Sequence, residues 1–487
     1  MTAIVVAGAA SGAGKTTVTL GLMAALRRRG LTVQGFKVGP DFIDPAFHAL
    51  VTGRPSYTLD AWMCGREAVL ATFGRHAADA DVSVIEGVMG AFDGIDGTSD
   101  EGSTAQVAKW LGAPVVLVVD ASASVRSVAA VALGFEGFDP DLTVAGVIVN
   151  KVASPTHAGW VLDAIRKHCR AAPLGALARD ASLKLPERHL GLVTAAEGPL
   201  TDAHRTALAD AIDRSIDVDR ILSFARAANV PIVGGAGVAR RGAEGVTPTS
   251  AVGSGRMPTP DIAGGGTPSA PRRATPAPPT IGIARDVAFQ FYYEENLALL
   301  RAAGAALVFW SPETAAEVPE VDGLYFGGGY PELRARALSA NAAVLRGVRK
   351  FIDAGGPVYA ECGGLMYLAE TLEDLDGVAH DMVGVLPAAV RMRPRKLSLG
   401  YTSVTTTAPT VLGPAGTTAR GHEFHYSTLD AVPASIPRVY RVADTRGGER
   451  VEGYQVGGAV LSYVHLHFAS NPAIASAFVE ACARRRA

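Results

Sequence analysis

Apolar residues in the first half of the chain fall into short β-branched runs separated by stretches of helical periodicity. The runs are Ile4–Ala7, Thr32–Lys37, Val82–Glu86, Val115–Asp120, Val144–Asn150 and Gly191–Thr194. Strands of this kind, alternating with helices, predict a parallel sheet covered on both faces. Most end beside a small, polar or acidic residue, so ligand-bearing side chains are expected along one sheet edge. From Gly234 to Pro279 the pattern stops, with no apolar periodicity and no aromatic residue. Such a stretch cannot bury enough surface to offset the entropy of ordering it, so residues 236–279 read as a Pro/Gly-rich disordered linker. Alternation resumes at Thr280 with strands Ile281–Ala284, Leu307–Phe309, Gly323–Tyr325 and Val358–Ala360 and helix Tyr292–Ala303. Segments Ser398–Thr407 and Val439–Val442 read as antiparallel strands, and Ala459–Val464 as the last strand. The expected fold class is α/β in two domains, residues 1–235 and 280–487.

The first strand breaks into a small-residue loop and a helix, IVVAGAASGAGKTT followed by VTLGLMAALRRR. Strand, glycine loop and helix are the context a phosphate-binding loop requires. Backbone N–H groups around Gly12 and Gly14 would converge on phosphate oxygens, and the helix start adds its dipole. Lys15 is placed to reach the β/γ-phosphates, Thr16 to hold Mg²⁺ through its hydroxyl, and Thr17 to complete the cradle. The strict pattern has Gly where this chain has Ala9, with Gly8 just before it. Carboxylates at later strand ends (Asp41, Asp44, Glu86 and Asp93) would face this loop, where metal or substrate work is expected. Asn150 and Lys151 end a strand where a nucleotide base would be read. A nucleoside triphosphate, ATP with Mg²⁺, is the implied ligand.

The chain has 487 residues, 48% hydrophobic and 19% charged, with a formal net charge of −2. Near-neutral charge speaks against nucleic acid or an anionic membrane as partner. No apolar run approaches the roughly 18 residues that would cross a bilayer. Cys64, Cys169, Cys362 and Cys482 lie far apart without CxxC spacing, so a reducing cytoplasm is the expected compartment.

In the second half, VYAECGGLMYL places Cys362 at a strand-to-helix junction. A side chain there is exposed at the sheet edge like the nucleophile of a hydrolase elbow. The helix start is expected to lower the thiol pKa, and Gly363 with the loop Gly327–Gly329, chiefly Gly328, to supply N–H groups to an oxyanion. Cys64, Cys169 and Cys482 read as core fillers. A base must come from elsewhere in the chain, and SYVHLHFASNP offers His465 and His467, which share side-chain parity on an extended strand. GHEFHYS, with His422, Glu423 and His425, is a second polar cluster.

KVGPDFIDP, IEGVMGAFDG and LPERHLGLVTA resemble the synthetase half of cobyrinate (or hydrogenobyrinate) a,c-diamide synthases. That half is similar in fold to dethiobiotin synthetase and is paired in the family with a class I glutamine amidotransferase domain of the cobyric-acid-synthase type. The resemblance implies roles for Asp41 and Glu86 at nucleotide and metal and for Asp93 in substrate activation. SYVHLHF resembles the YxHGxF stretch of cobyric acid synthases, and alignment on Phe468 puts the catalytic histidine at His465. Many class I amidotransferases carry His-x-Glu here. This chain has His467 in place of the Glu, so a Cys362–His465 dyad is expected. The implied partners are L-glutamine and a corrinoid, whose a and c carboxylates would be amidated in cobalamin biosynthesis through a cysteine thioester and an acyl phosphate. A nickel-sirohydrochlorin a,c-diamide synthase is the same-class alternative. A MinD/ParA-type ATPase switch is the alternative of another class, although positions 8–13 lack its signature lysine. Monomer or homodimer is left open.

Overall fold

The computed structural model describes residues 1–183, 185, 187–188, 191–192, 198, 200–228, 230, 277–393, 395 and 397–486. Most of the expected linker, most of LPERHLGLVTA and residues Val193 and Thr194 lie outside them.

The first strand β1 (Ala3–Gly8) leads through the glycine loop into α1 (Lys15–Arg28). Then come β2 (Val33–Val38), α2 (Ile43–Thr52), β3 (Tyr57–Leu59), α3 (Ala61–Ala77) and β4 (Val82–Glu86). The sheet is completed by β5 (Val115–Asp120), β6 (Val144–Val152) and β7 (Ala172–Ala178). Its order is β3-β2-β4-β1-β5-β6-β7 with every pairing parallel. β1 through β5 are buried almost throughout, which is why their sequences run apolar without alternation. Because β1 is central, its glycine loop opens in the middle of the carboxyl edge. β3 and β7 were not foreseen: β3 is short, and the Pro and Gly in APLGALA mask β7. One expected strand fails. Gly191–Leu192 pairs antiparallel with Glu187–Arg188 and does not join this sheet.

The second half holds a ten-stranded mixed sheet. Strands Ala306–Trp310, Thr280–Ala284, Gly323–Phe326, Val358–Glu361 and Ala459–Ser462 are parallel in that order. Beyond them Glu449–Val456, Arg438–Asp444, Ser398–Thr406, Thr418–His425 and His465–Leu466 add antiparallel. Ser462 and His465 are three residues apart in sequence yet belong to strands five places apart in the sheet. Three residues span at most about 11 Å. The antiparallel half must therefore curl back and return its last strand to the edge where Val358–Glu361 ends.

The halves pack through α3 and the loop before α2. Asp60 caps α3, accepting from Met63 N at 2.7 Å, and its other oxygen accepts from Tyr401 Oη at 2.7 Å. Arg420 donates to the Trp62 carbonyl at 2.7 Å and stacks on its ring at 4.9 Å. Glu295 receives Arg75 and His76. Trp62, Met63 and Tyr293 form a small apolar cluster with Phe42 and Tyr401 across this boundary.

Candidate active sites

Gly14 caps α1 with φ +96°, a conformation L side chains avoid, and a Cβ there would stand 2.0 Å from Asn150 Nδ2. Asn150 in turn donates to the Ala13 carbonyl at 2.9 Å, and Lys151 Nζ to the Gly12 carbonyl at 2.8 Å and to Asp120 at 2.7 Å. Asn150 and Lys151 thus clamp the glycine loop. Asp120, at the end of β5, completes the clamp and was not singled out from sequence. A cavity of about 580 Å³ opens here, lined by Gly12, Gly14, Lys15, Thr16, Thr17, Asn150 and Lys151 and walled by the end of β7 and by Arg179, Asp180 and Leu183 beyond it.

Lys15 lies under the loop and donates to the carbonyls of Ala10 and Met89. Burial and the neighbouring Lys37 push its ammonium pKa down, against Glu86, Asp44 and Asp93. Met89 itself sits at φ +46°, in the turn that carries Asp93. The Asp93 carboxylate accepts from Gly90 N at 2.8 Å, and Gly90 packs against the Ala9 carbonyl. This holds Asp93 beside the glycine loop.

Thr16 Oγ1 donates to Glu86 Oε1 at 2.7 Å. Glu86 is fully buried and also receives Lys37 at 3.2 Å and His48 at 2.7 Å. Burial works against its charge, but Lys37 and His48 outweigh burial and hold the carboxyl well below its usual range. Lys37 is likewise buried, and Asp44, Glu86 and Asp41 more than offset that burial to keep it charged. Asp44 bonds Lys37 at 2.6 Å. Burial together with Asp41 and Glu86 raises its own pKa, against Lys37. The Thr16–Glu86 pair offers hard oxygen donors at the start of α1, a donor set that suits Mg²⁺. Asp41 faces the same lysine as Glu86. It accepts from the Ile43 and Asp44 N–H groups at 2.7 and 3.1 Å and lies 3.8 Å from Lys37. Lys37 and His48 were missed because a lysine on a strand and a histidine on a helix carry no local signature.

In the second half Cys362 adopts φ +49°, ψ −103°, a strained elbow between strand Val358–Glu361 and a short helix, Gly363–Leu368. Its N–H donates to the Ser462 carbonyl at 2.8 Å, tying the elbow to the strand that leads into His465. A Cβ on Gly363 would lie 3.0 Å from Gly329 N, and one on Gly328 would lie 2.4 Å from His465 Cε1. Gly363, Gly328 and His465 are therefore gathered around one point. The Gly327 N–H is not free for an oxyanion, because it donates to Tyr292 Oη at 2.8 Å. The expectation of a lowered thiol pKa is corrected too. Burial, with Glu332, Glu361 and Glu423, pushes Cys362 up, and the Gly363 N–H opposes only part of this. The six-residue helix presents too little dipole to reverse it.

His465 is buried, and burial with His422 and His425 pushes its pKa well down. Its Nδ1 has no hydrogen-bond partner among the described residues. Among the described residues no carboxylate hydrogen-bonds His465 in place of the missing Glu, and His467 is also buried, pushed down to about 4 by burial against the pull of Glu295, with no hydrogen-bond partner for its Nε2. Its Nδ1 instead accepts from Ala469 N at 3.3 Å, capping the turn that follows. His422 pairs with His465 across the strands, and the two rings stack at 5.0 Å. Glu361, unnoticed in sequence, receives Tyr325 Oη, Tyr359 Oη and Leu466 N. It locks the backbone between His465 and His467 to the residue preceding Cys362. His425 stacks on Tyr463 at 3.9 Å, while Glu423 pairs with Arg450.

A phosphate cradle with a buried acid, joined to a cysteine elbow beside a histidine, defines a nucleotide-binding domain coupled to a glutamine amidotransferase. Residues 4–193 match the family described as CobQ/CobB/MinD/ParA nucleotide binding domain, and residues 280–473 the CobB/CobQ-like glutamine amidotransferase domain. Curated relatives match along the whole length. A cobyrinate a,c-diamide synthase of Syntrophotalea carbinolica is 46% identical, covering 98% of both chains. The Listeria innocua protein of that name is 40% identical over 97% of this chain and 98% of its own. That of Leptospira interrogans is 39% identical over 99% and 98%. The chain belongs to the cobyrinate a,c-diamide synthase family. Among the described residues no helix is long and apolar enough to cross a membrane.

Proposed function

We propose that this chain is an ATP- and glutamine-dependent amido-ligase that converts the a and c carboxylates of cobyrinate or hydrogenobyrinate to amides in cobalamin biosynthesis. The observation that carries the reading is one body in which a Lys15–Thr16–Glu86 phosphate site and a Cys362–His465 elbow are joined by the loop before α2. Residues 1–235 form the ligase part and 280–487 the amidotransferase part. Three unpaired cysteines besides Cys362 suit a reducing cytoplasm.

In the amidotransferase part, Cys362 Sγ attacks the glutamine side-chain carbonyl carbon while His465 takes the thiol proton. The N–H groups of Gly328 and Gly363 face the developing oxyanion. His465 returns the proton to the leaving nitrogen, ammonia departs, and water hydrolyses the thioester to glutamate. In the ligase part, the glycine loop and Lys15 hold the triphosphate so that a substrate carboxylate oxygen attacks the γ-phosphorus and ADP leaves. Mg²⁺, held by Thr16 and Glu86, would neutralise charge on the phosphate oxygens when bound. Asp93, beside the loop, faces the acceptor carboxylate. Ammonia then attacks the acyl phosphate, and inorganic phosphate leaves in place of an oxide that could not.

The test uses Cys362→Ser with cobyrinic and hydrogenobyrinic acids as acceptors. Wild type should lower the macrocycle mass by about one unit per amide formed, up to two amides, with either glutamine or ammonia as donor. The variant should do so with ammonia alone. Failure of ammonia to rescue a folded variant would refute the division of labour.

A further inference from the structure

The loop Pro40–Ile43 belongs to the ligase part by sequence but ends inside the amidotransferase part. The Phe42 ring lies 5.0 Å from the His465 ring, 5.5 Å from His422 and 4.6 Å from Tyr293, and stacks on Phe291 at 5.3 Å. A cavity of about 180 Å³ adjoins it, with Asp41 on one wall and Tyr330, Phe424 and His465 on the other. Among the described residues His465 has no hydrogen-bonded orienting group at Nδ1, and the rings of His422 and Phe42 pack against its own. The backbone that carries Phe42 is not free to drift. Asp41 accepts from Ile43 N and Asp44 N, Asp44 bonds Lys37, Lys37 bonds Glu86, and Glu86 bonds Thr16 at the phosphate site.

We infer that Phe42 is a positioning residue for His465, supplied across the domain boundary, through which the state of the nucleotide site sets the rate of glutamine hydrolysis. The inference rests on the amidotransferase reading of Cys362 and His465. Ligand bound at Thr16 and Glu86 competes for the oxygens that now hold Lys37. A shift of Lys37 moves Asp44 and Asp41, and with them the ring against His465. Small displacements are enough, since about 1 Å of misplacement can cost on the order of 100-fold in rate.

The experiment compares wild type, Phe42→Ala and Phe42→Tyr in the full chain. Glutaminase kcat and glutamine KM are measured with and without Mg·ATP plus hydrogenobyrinic acid. Phe42→Ala should lower kcat about 10- to 100-fold with KM held within about twofold, and Phe42→Tyr, which keeps the ring, should restore most of it. The rate ratio with and without Mg·ATP and acceptor should depart from one in wild type and collapse to one in Phe42→Ala. The ratio of glutamine-driven to ammonia-driven amidation should fall by the same factor as kcat. A Phe42→Ala enzyme with wild-type kcat and wild-type response to Mg·ATP would overturn the inference and leave the amidotransferase reading standing. Equal loss of ammonia-driven amidation would overturn it as well, by showing general damage. A wild type that hydrolyses no glutamine would overturn the amidotransferase reading itself and this inference with it.

Discussion

At the scale of single residues, the two sites manage charge in opposite ways. In the ligase site, buried Lys37 and Glu86 stay ionised because each desolvated charge has an opposite partner within hydrogen-bond distance. Among the described residues no cation is placed to do this around Cys362. The thiol is pushed up by burial and by Glu332, while His465 is pushed down by burial, His422 and His425. Both partners are thus held neutral near pH 7, and the proton moves from sulfur to imidazole only as attack proceeds. A preformed thiolate–imidazolium pair would alkylate rapidly from acidic pH upward. Here the raised thiol pKa predicts that modification of Cys362 by iodoacetamide, followed by peptide mass mapping, is slow at pH 6–7. It should climb about tenfold per pH unit above that, without an acidic plateau. A plateau below pH 6 would contradict the neutral pair.

At the scale of elements, α3 shows how one cap serves two purposes. Asp60 caps the helix through Met63 N and binds Tyr401 Oη from the other half. Burial raises its pKa to about 6, the hydrogen bonds from Met63 and Tyr401 opposing only in part. The folded protein therefore binds this proton more tightly than the unfolded chain does. Its contribution is complete below the ordinary aspartate value and is lost as pH rises through about 6. Asp60→Asn keeps an acceptor but no titration. The stability difference between wild type and Asp60→Asn, from urea unfolding, should change by on the order of 2–3 kcal/mol between pH 4 and pH 7, in the direction of wild-type loss. The comparison must be a difference, because Glu361 and Glu452 are also raised, to about 7, and tilt both proteins alike.

At the scale of the molecule, the strand His465–Leu466 shares the wall of one cavity with the ligase loop Pro40–Ile43. In the proposed reaction, ammonia freed next to His465 would emerge against Asp41 and its neighbours, within the contact between the halves. The seal depends on α3: Tyr401 on Asp60, Arg420 on Trp62, and Arg75 and His76 on Glu295. Tyr401→Phe combined with Arg420→Ala removes two of these attachments, worth about 1–3 kcal/mol each. Glutamate release should continue while amide formed per glutamate falls at least about twofold, as ammonia escapes to solvent. Paired assays of glutamate and macrocycle mass check this. An unchanged ratio would show that the remaining contacts suffice.

The sequence by itself determined the α/β class, the order of the main strands and the local machinery. The glycine loop, Lys15, Thr16 and the Cys362 elbow are set by contiguous residues whose backbone demands are written next to one another. Asn150 and Lys151 were visible at a strand end as candidates to read a base. Only the folded chain shows that they also bond the carbonyls of Ala13 and Gly12. The partners that act over distance were likewise decided by tertiary structure. Glu86 meets His48 and Lys37 because β4 and β2 are neighbours in the sheet. His465 comes to the sheet edge where the Cys362 elbow lies because a ten-stranded sheet curls back on itself. Phe42 stands against that histidine because two halves far apart in sequence share one apolar contact. The physical reason is range: backbone conformation and helix starts are fixed by near neighbours, whereas burial and charge pairing are fixed by whatever the fold brings within a few ångströms.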